Sequence, residues 1–229
     1  SKNVQKQIKK VYGRKSVVIY PAVDTEFFRK TQNTQANQKN QNDTDYFLIV
    51  SRFVKWKKID IAIEACTNLN HRLIIVGSGP DEARLQQILN QAAFGEPRYK
   101  RVQNDKIGQN KIEFLGNVAK EELRALYQNA TALIVTQEED FGIAMVEAQS
   151  CGIPIIAYKA GGALEIVIDG KTGIFFKNQS PEAVKDAISM QSKLKWDISA
   201  CRENALRFSK AVFVNSFKKS IDDYVAKTH

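Results

Sequence analysis

Short apolar runs alternate with segments of helical periodicity along most of this 229-residue chain. Runs that are apolar throughout, rather than at every second residue, are typical of strands buried on both faces. When helical segments separate such strands, the expected fold is a parallel sheet with helices on both sides. The predicted strands are residues 17–20, 46–50, 72–77, 111–116, 132–135, 153–158 and 174–176, and the predicted helices are residues 59–69, 81–93, 120–130 and about 142–150.

The alternation predicts an α/β fold with a doubly wound, Rossmann-like parallel sheet and extra C-terminal helices. From Ser180 onwards the pattern is helical throughout, and Ser180 followed by Pro181 is a capped helix start. Residues 30–45 are polar and lack large apolar side chains, so they are predicted to form a mobile loop. Residues 94–110 are predicted to be a second insertion.

Composition excludes several classes of protein. No apolar run approaches the roughly 20 residues that span a bilayer, and no apolar block follows the basic N-terminal residues as in a secretory signal. Three widely spaced cysteines argue against a disulfide framework or a metal cluster and fit a reducing compartment. The expected location is cytoplasmic, and peripheral contact with the inner face of the membrane stays open.

The formal net charge is +9, and six basic residues precede the first acid, Asp24. Such a patch could meet nucleic acid, anionic lipid or a phosphate-bearing substrate. The basic clusters lack the interleaved aromatic residues of a nucleic-acid stacking platform. They are therefore interpreted as solvated surface, and no nucleic-acid partner is expected.

Ligands of doubly wound sheets bind beyond the carboxyl ends of the strands, so the loops after the strands are the candidate site. Arg52 and Lys57 follow the strand at 46–50 and offer fixed positive charge to a diphosphate. Gly77 and Gly79 follow the next strand and let a ligand approach the backbone. Each pair also has a plainer interpretation, as solvated charge and as a tight turn.

The loop and helix after residues 132–135 carry two carboxylates, Glu139 and Glu147. Carboxylates accept hydrogen bonds from vicinal hydroxyl groups, so two on one wall could hold a ribose and a hexose. Backbone amides at Gly142 and Ile143 would point towards a phosphate or sugar at the start of the helix. Glycoside hydrolases also use paired carboxylates, and either glutamate alone could be a solvated acid.

Six motifs occur in a consistent order along the chain. They are Ser51-Arg52 followed by Lys57, Gly77-x-Gly79-Pro80, Phe114-Leu115-Gly116-x-Val118, Glu139-Asp140-Phe141-Gly142-x4-Glu147, Gly152-x-Pro154 and Gly161-Gly162-x2-Glu165. Together they resemble the donor half of retaining GT-B glycosyltransferases of the group 1 (family 4) type, and the resemblance runs from about residue 17 to residue 176. That family includes mannosyl- and glucosyltransferases of bacterial polysaccharide assembly.

The resemblance implies a role for each matched residue. Arg52 and Lys57 would hold the donor diphosphate and stabilise its charge as it leaves, with no obligatory metal and no cofactor besides the nucleotide-sugar donor. Glu139 would bind hydroxyls of the transferred sugar, and Glu147 those of the ribose. The remaining donor-binding positions are the backbone at Gly142 and Ile143 near the diphosphate or sugar, Gly77 and Gly79, and Gly116, Asn117 and Val118 facing the base.

The same resemblance implies a division of the chain. Residues 1–16 are expected to be a basic linker or helix from an N-terminal acceptor domain, residues 17–195 the nucleotide-sugar domain, and residues 196–229 C-terminal helices. Ser1, in place of Met, is expected to mark an excised fragment that transfers nothing by itself. Without the other half, Phe208, Phe213 and Phe217 are expected to be partly uncovered.

The substrates follow from the resemblance less completely. Residues 138–143 resemble mannosyltransferase members, which favours GDP-mannose over UDP-sugars and other GDP-sugars as the donor. The acceptor would be a saccharide or a lipid-linked saccharide. Ala144 and Met145 stand where relatives often have proline, and the 94–110 insertion has no counterpart in the family pattern.

Three alternatives remain at this stage. The chain could be a nucleotide-sugar-binding module without chemistry, or, from its charge alone, a nucleic-acid-binding protein. A nicotinamide-dependent oxidoreductase is disfavoured because residues 77–80 do not form the Gly-x-Gly-x-x-Gly fingerprint.

Overall fold

A single parallel sheet organises the protein, whose computed structural model describes residues 1–30, 45–92 and 111–228. Its strands stand in the order β3-β2-β1-β4-β5-β6, and every neighbouring pair is parallel. The predicted doubly wound sheet is thus confirmed. The strands are β1 (Tyr46–Val50), β2 (Arg72–Val76), β3 (Ile112–Gly116), β4 (Ala132–Val135), β5 (Ile155–Tyr158) and β6 (Gly173–Phe176).

Helices cover both faces of the sheet, which explains why its strands are apolar at successive positions. In β1, Leu48 points into one buried cluster while Phe47 and Ile49 point into the other. The helices are α1 (Lys2–Tyr12), α2 (Ile59–Leu69), α3 (Glu82–Ala92), α4 (Lys120–Asn129), α5 (Ile143–Ser150), α6 (Ala163–Ile166), α7 (Pro181–Gln191), α8 (Ile198–Leu206) and α9 (Lys210–Thr228).

The strand order reverses between β1 and β4, because the chain adds β2 and β3 on one side of β1 and β4 to β6 on the other. Loops at the carboxyl ends of β1 and β4 leave in opposite directions at such a switch point and leave a crevice between them. The sequence places Arg52 and Lys57 after β1 and Glu139 after β4, so three predicted site residues border this crevice.

The predicted strand at residues 17–20 is wrong. These residues are extended chain outside the sheet, and Val17 is 76% exposed. Their apolar character has another origin, because Tyr20 packs its ring against Phe141 and Phe208. Partly buried side chains on a connecting segment produce the same short apolar run as a strand.

The C-terminal region is helical, as predicted, and forms the three helices α7, α8 and α9. Ser180 accepts a hydrogen bond from the amide of Ala183 and Pro181 opens α7, which confirms the predicted capped start. The expectation that Phe208 is partly uncovered is wrong, because it is 1% exposed between α8 and α9. Phe213 is half-buried and Phe217 is 48% exposed.

Two further predictions concern parts of the chain that fall outside the described residues. The 94–110 insertion does so entirely, and the 30–45 loop does so except for its two end residues. Among the described helices, none combines the length and the apolar character needed to cross a membrane.

Candidate functional site

An ion pair joins the two loops that border the crevice between β1 and β4. Lys57 lies at the end of a single 3-10 turn (Lys55–Lys57), and its Nζ is 2.5 Å from Oε1 of Glu139. The Thr136 hydroxyl also donates to the backbone carbonyl of Lys57 over 2.7 Å. Side chain and backbone together therefore fix the loop after β1 to the loop after β4.

The surroundings of this pair hold both charges in place. Gln137 donates its side-chain amide to the same Glu139 oxygen, Oε1, and Lys57 Nζ lies 4.2 Å from the ring centroid of Trp56. Lys57 is buried, whereas Lys55 and Lys58 are exposed. A cation held against a carboxylate and an aromatic face is only partly hydrated, so it interacts strongly with any anion that enters the crevice.

Arg52 lines a cavity of about 610 Å³ beside the crevice, formed where β1, β2 and β3 end. Its volume lies within the range of about 300–1,000 Å³ that is usual for small-molecule sites. Leu123 of α4 and the carboxyl-terminal residues of β1 and β2 supply apolar wall, and loop residues supply polar atoms. The lining consists of Val50, Ser51, Arg52, Val76, Gly77, Ser78, Gly79, Asn117, Val118 and Leu123.

The glycines of this cavity have a structural explanation in the packing of one loop on the next. A Cβ on Gly77, whose φ is +129°, would lie 1.9 Å from the carbonyl oxygen of Ser51, and one on Gly79 would lie 2.2 Å from that of Phe53. Gly116 also has positive φ, +68°, but a Cβ there would meet nothing within 4 Å. Its carbonyl accepts from the amide of Gly77 over 2.8 Å, so the three turns form one backbone surface.

Glu147 lies on α5 and receives a hydrogen bond from Tyr127 of α4, with 3.1 Å between the phenol and carboxylate oxygens. Burial raises the pKa of Glu147 above its usual 4.5, against the opposing effects of the Tyr127 hydrogen bond and the positive charge of Lys120. Burial and the nearby carboxylate also raise the pKa of Tyr127 well above 10. The Glu147 carboxylate is therefore a largely buried hydrogen-bond acceptor that already has one donor, the Tyr127 hydroxyl.

Gly142 turns the chain from the Glu139 loop into α5. Its φ is +103°, and a Cβ there would lie 2.1 Å from the methyl carbon of Met145, so the turn requires glycine. Ile143, the first residue of the helix, is 49% exposed. The first amides of α5 are therefore at the carboxyl edge of the sheet, next to the loop that carries Glu139.

The structure brings the predicted residues together in three groups along one edge of the sheet. Lys57 and Glu139 are in direct contact, and Glu147, Gly142 and Ile143 belong to the helix that follows the Glu139 loop. The third group lines or supports the cavity and contains Arg52, Gly77, Gly79, Gly116, Asn117 and Val118. The chemical roles assigned to these residues stay predictions.

Several residues of this edge were not predicted from the sequence. Ser51 and Ser78 adjoin predicted residues in the loops, and Gln137 lies two positions after the end of β4. Position along the chain alone could therefore have indicated these three residues. Tyr127 lies inside a helix, 20 positions from Glu147, and a search restricted to loops does not find it.

One acidic motif lies away from this edge. Asp43 and Asp45 form an Asp-x-Asp triplet, of which the structure describes only Asp45. Its carboxylate accepts from the Thr131 hydroxyl over 2.9 Å, directly before β1 and so at the opposite edge of the sheet. Within the described residues, no group of three or more His, Cys, Asp or Glu side chains could hold a metal ion.

Comparison with known proteins gives a family match that includes this edge. The profile of the family described as "Glycosyl transferases group 1" matches residues 30–208. An uncharacterized glycosyltransferase of Methanocaldococcus jannaschii is 27% identical over 213 residues, which are 92% of this chain and 53% of that protein. The GDP-mannose-dependent alpha-(1-6)-phosphatidylinositol monomannoside mannosyltransferase of Mycolicibacterium smegmatis is 28% identical over 184 residues, 73% of this chain and 44% of that protein.

A solved structure supports the fold. The Anabaena protein HepE in complex with UDP and glucose superposes with a TM-score of 0.79 at 22% identity, over 97% of this chain and 61% of that one. The chain thus spans about half the length of the curated relatives it matches.

Proposed function

Because this chain belongs to the group 1 glycosyl transferases, we propose that it is the donor-binding half of a retaining transferase and that its favoured donor is GDP-mannose. The observation that carries the proposal is the contact between Lys57 and Glu139 across the crevice. A cation and a hydroxyl acceptor lie side by side there, as required at the junction between a diphosphate and the sugar attached to it.

The chemistry proposed at this junction is transfer of the sugar from the diphosphate. The bond between the anomeric carbon and the diphosphate oxygen breaks, and negative charge develops on the leaving diphosphate. An acceptor hydroxyl oxygen bonds to the anomeric carbon on the same face, and its proton passes to the leaving diphosphate. Two cations stabilise that charge: Lys57, which is buried against Glu139, and Arg52, which is exposed and lines the cavity. Glu139 accepts hydrogen bonds from hydroxyls of the sugar and so fixes the reacting carbon next to these cations.

The nucleotide end of the donor is assigned to the cavity and to α5. The base lies against the backbone of residues 116–118, in the apolar part of the cavity next to Leu123. Glu147 accepts from the ribose hydroxyls, and the amides of Gly142 and Ile143 face the diphosphate or sugar. Support for this assignment comes from the common edge that these groups share and from the cavity volume.

Relatives support two donor classes to different degrees. GDP-mannose is the donor of the mycolicibacterial mannosyltransferase, whereas HepE was crystallised with UDP and glucose. GDP-mannose remains the favoured donor because of residues 138–143, and UDP-glucose is the alternative.

The acceptor, a saccharide or a lipid-linked saccharide, is proposed to bind to the other half of a longer protein. Residues 1–16 are proposed to connect the two halves.

A ligand panel tests the proposal directly. Ligands that bind only the folded state raise the melting temperature by mass action, so the chain is heated with GDP-mannose, UDP-glucose, GDP and UDP. We expect the largest increase with GDP-mannose.

Calorimetry then compares Lys57→Ala with the matched control Lys55→Ala, which removes an exposed lysine from the same turn. Lys57→Ala is expected to weaken binding at least about tenfold, because it removes a charge-assisted contact, and Lys55→Ala less than about twofold.

Each result has a clear meaning. Lys57→Ala also leaves Glu139 without its cation, so the melting temperature of the ligand-free variant is measured to show that the fold persists. Equal affinity of a folded Lys57→Ala variant and the wild type would refute the assignment of the diphosphate site. A wild-type chain that binds none of the four ligands would refute donor binding itself.

A further inference from the structure

An N-terminal segment (residues 1–28) lies against the loops that follow β4 and β5, although it lies outside the six-stranded sheet. Its first contact is made by Glu165, whose two carboxylate oxygens accept from the backbone amides of Lys2 and Asn3 over 2.8 and 2.9 Å. These amides open α1, where the first N–H groups lack partners within the helix. Glu165, more than 160 positions further along the chain, thus caps α1.

The capping carboxylate complements what α1 itself provides. Ser1 accepts from the amide of Val4, and the first turn of α1 contains no acidic residue. Glu165 therefore provides the negative charge that favours a helix N-terminus. Burial opposes ionisation of Glu165, but the hydrogen bonds from Lys2, Asn3 and Tyr20 outweigh it and lower its pKa below 4.5.

A second contact is made by Tyr20. Its hydroxyl donates to Oε2 of Glu165 over 2.8 Å, so one carboxylate binds two separate parts of the N-terminal segment. The Tyr20 ring lies 5.7 Å from that of Phe141 and 5.2 Å from that of Phe208, which itself lies 5.3 Å from Phe141. Phe141 is two residues after Glu139, so this aromatic cluster holds the far end of the Glu139 loop.

The backbone links the two loops even more closely. The amide of Gly162 donates to the carbonyl of Glu139 over 2.6 Å. A Cβ on Gly162 would lie 2.1 Å from the carbonyl oxygen of Phe141, and one on Gly161 would lie 2.3 Å from that of Glu139. Ser1 donates its hydroxyl to the carbonyl of Asp140. The loop of residues 136–142 is therefore held between the glycine turn before Glu165 and the start of α1.

We infer that Glu165 and Tyr20 are positioning residues, which hold the N-terminal segment against the loop of residues 136–142 and thereby fix Glu139 for the transferred sugar. The inference rests on the proposed function, since it takes a donor sugar as the ligand of Glu139. Neither residue is assigned a contact with the donor. Their effect passes through Phe141, the Asp140 carbonyl and the Gly161-Gly162 turn.

Amide hydrogen exchange without ligand tests the mechanical part of the inference. In Glu165→Gln, one of the two acceptor oxygens becomes an amide nitrogen, so Lys2 and Asn3 cannot both be bound as before. We expect faster exchange in residues 2–12 and also at the amide of Gly162, which donates to the Glu139 carbonyl. Tyr20→Phe keeps the ring contacts and loses only the hydroxyl, so it should cause a smaller change of the same kind. Glu203→Gln, which neutralises an exposed glutamate of α8, is the control.

Binding measurements test the functional part. For wild type and variants, calorimetry gives the affinities for GDP and GDP-mannose and for UDP and UDP-glucose. Because the contacts assigned to the base, to the ribose and to the two cations lie outside the loop of residues 136–142, affinity for the nucleoside diphosphate should stay within about twofold, whereas the additional affinity that the sugar provides should fall at least about fivefold in Glu165→Gln. A general loss of structure would weaken both kinds of ligand equally.

Three results would overturn the inference. Exchange that accelerates in α1 but not at the Gly162 amide would show that the segment does not hold the loop. Equal losses for diphosphate and nucleotide sugar would show a merely structural role, and an unchanged sugar contribution would show no role at all. If the wild type binds none of the ligands, the proposed function fails and the sugar-positioning role fails with it, while the exchange data still decide whether the segment holds the loop.

Discussion

The β3-β2-β1 flank and the β4-β5-β6 flank of the sheet build their carboxyl edges in different ways. On the first flank the turns at Gly77, Gly79 and Gly116 pack backbone on backbone and leave a cavity. On the second, the loops and helices carry Glu139 and Glu147, and each carboxylate is bound by a donor from another element. The first edge therefore depends on the absence of a few Cβ atoms, whereas the second depends on similar glycine packing at Gly161 and Gly162 and also on the ionisation of a few side chains.

Steric tolerance should give the largest effect, at two glycines of the first flank. Gly77→Ala is expected to lower the free energy of unfolding by about 3 kcal/mol, since the strained φ and the clash with Ser51 add together. Gly116→Ala has only the conformational cost, about 1–2 kcal/mol, because its Cβ would meet no neighbour. Urea unfolding monitored by circular dichroism measures both. Equal losses would mean that the loop after β1 moves away from Gly77 and that the backbone contact is not essential.

On the second flank, neutralising a carboxylate should change the affinity for the ligand. Glu147→Gln is expected to weaken GDP binding about tenfold, because an amide offers one acceptor oxygen to the ribose hydroxyls where the carboxylate offers two. Stability should be preserved or increase, since burial of the ionised carboxylate is unfavourable, as its raised pKa indicates. Glu122→Gln, at an exposed position of α4, is the control. A variant that loses stability and keeps its affinity for GDP would show that Glu147 acts in the fold instead.

Lowering the pH should give the smallest effect, with opposite signs for the affinity for GDP and for the stability of the fold. The pKa of Glu147 lies above 4.5, so protonation begins at a higher pH than for an ordinary glutamate. Affinity for GDP should fall as the pH is lowered from about 7 to about 5, because the protonated carboxyl accepts fewer hydrogen bonds. The same protonation favours the folded state, because the unfolded chain releases this proton more readily. Calorimetry over this range, with Glu147→Gln as a variant lacking the response, measures it. A wild-type profile identical to that of the variant would contradict the assignment of Glu147.

The sequence pattern predicted the sheet well because a strand buried on both faces consists of consecutive apolar residues. The apolar runs from Tyr46 to Phe176 form strands, and each is followed by the expected helix or turn. Residues 17–20 show the same apolar run for a different reason, because the partly buried Tyr20 packs against Phe141 and Phe208, and periodicity cannot separate the two cases. Pairing partners decide whether an apolar run becomes a strand, and these lie far away in the chain.

The candidate site was predictable by position but not by contact. Topology places the ends of β1 and β4 together, so the proximity of Lys57 and Glu139 follows from the strand order. The choice of Lys57 over Lys55 and Lys58 needed the family resemblance, because all three lie within one turn. Contacts between distant segments, such as Tyr127 with Glu147 or Glu165 with α1, depend on how helices pack and leave no mark on local sequence.

The bond between Lys57 and Glu139 has a consequence for selectivity. On the proposed function, a donor has to separate the two side chains and offer each a replacement, an anion to the lysine and a hydroxyl to the glutamate. A free sugar or a nucleoside diphosphate supplies one replacement and leaves the other charge in the crevice without its partner. The crevice therefore selects molecules that carry both an anion and a hydroxyl at the right spacing. Abundant cellular phosphates compete poorly, because they do not replace the interaction that Glu139 loses when the ion pair separates.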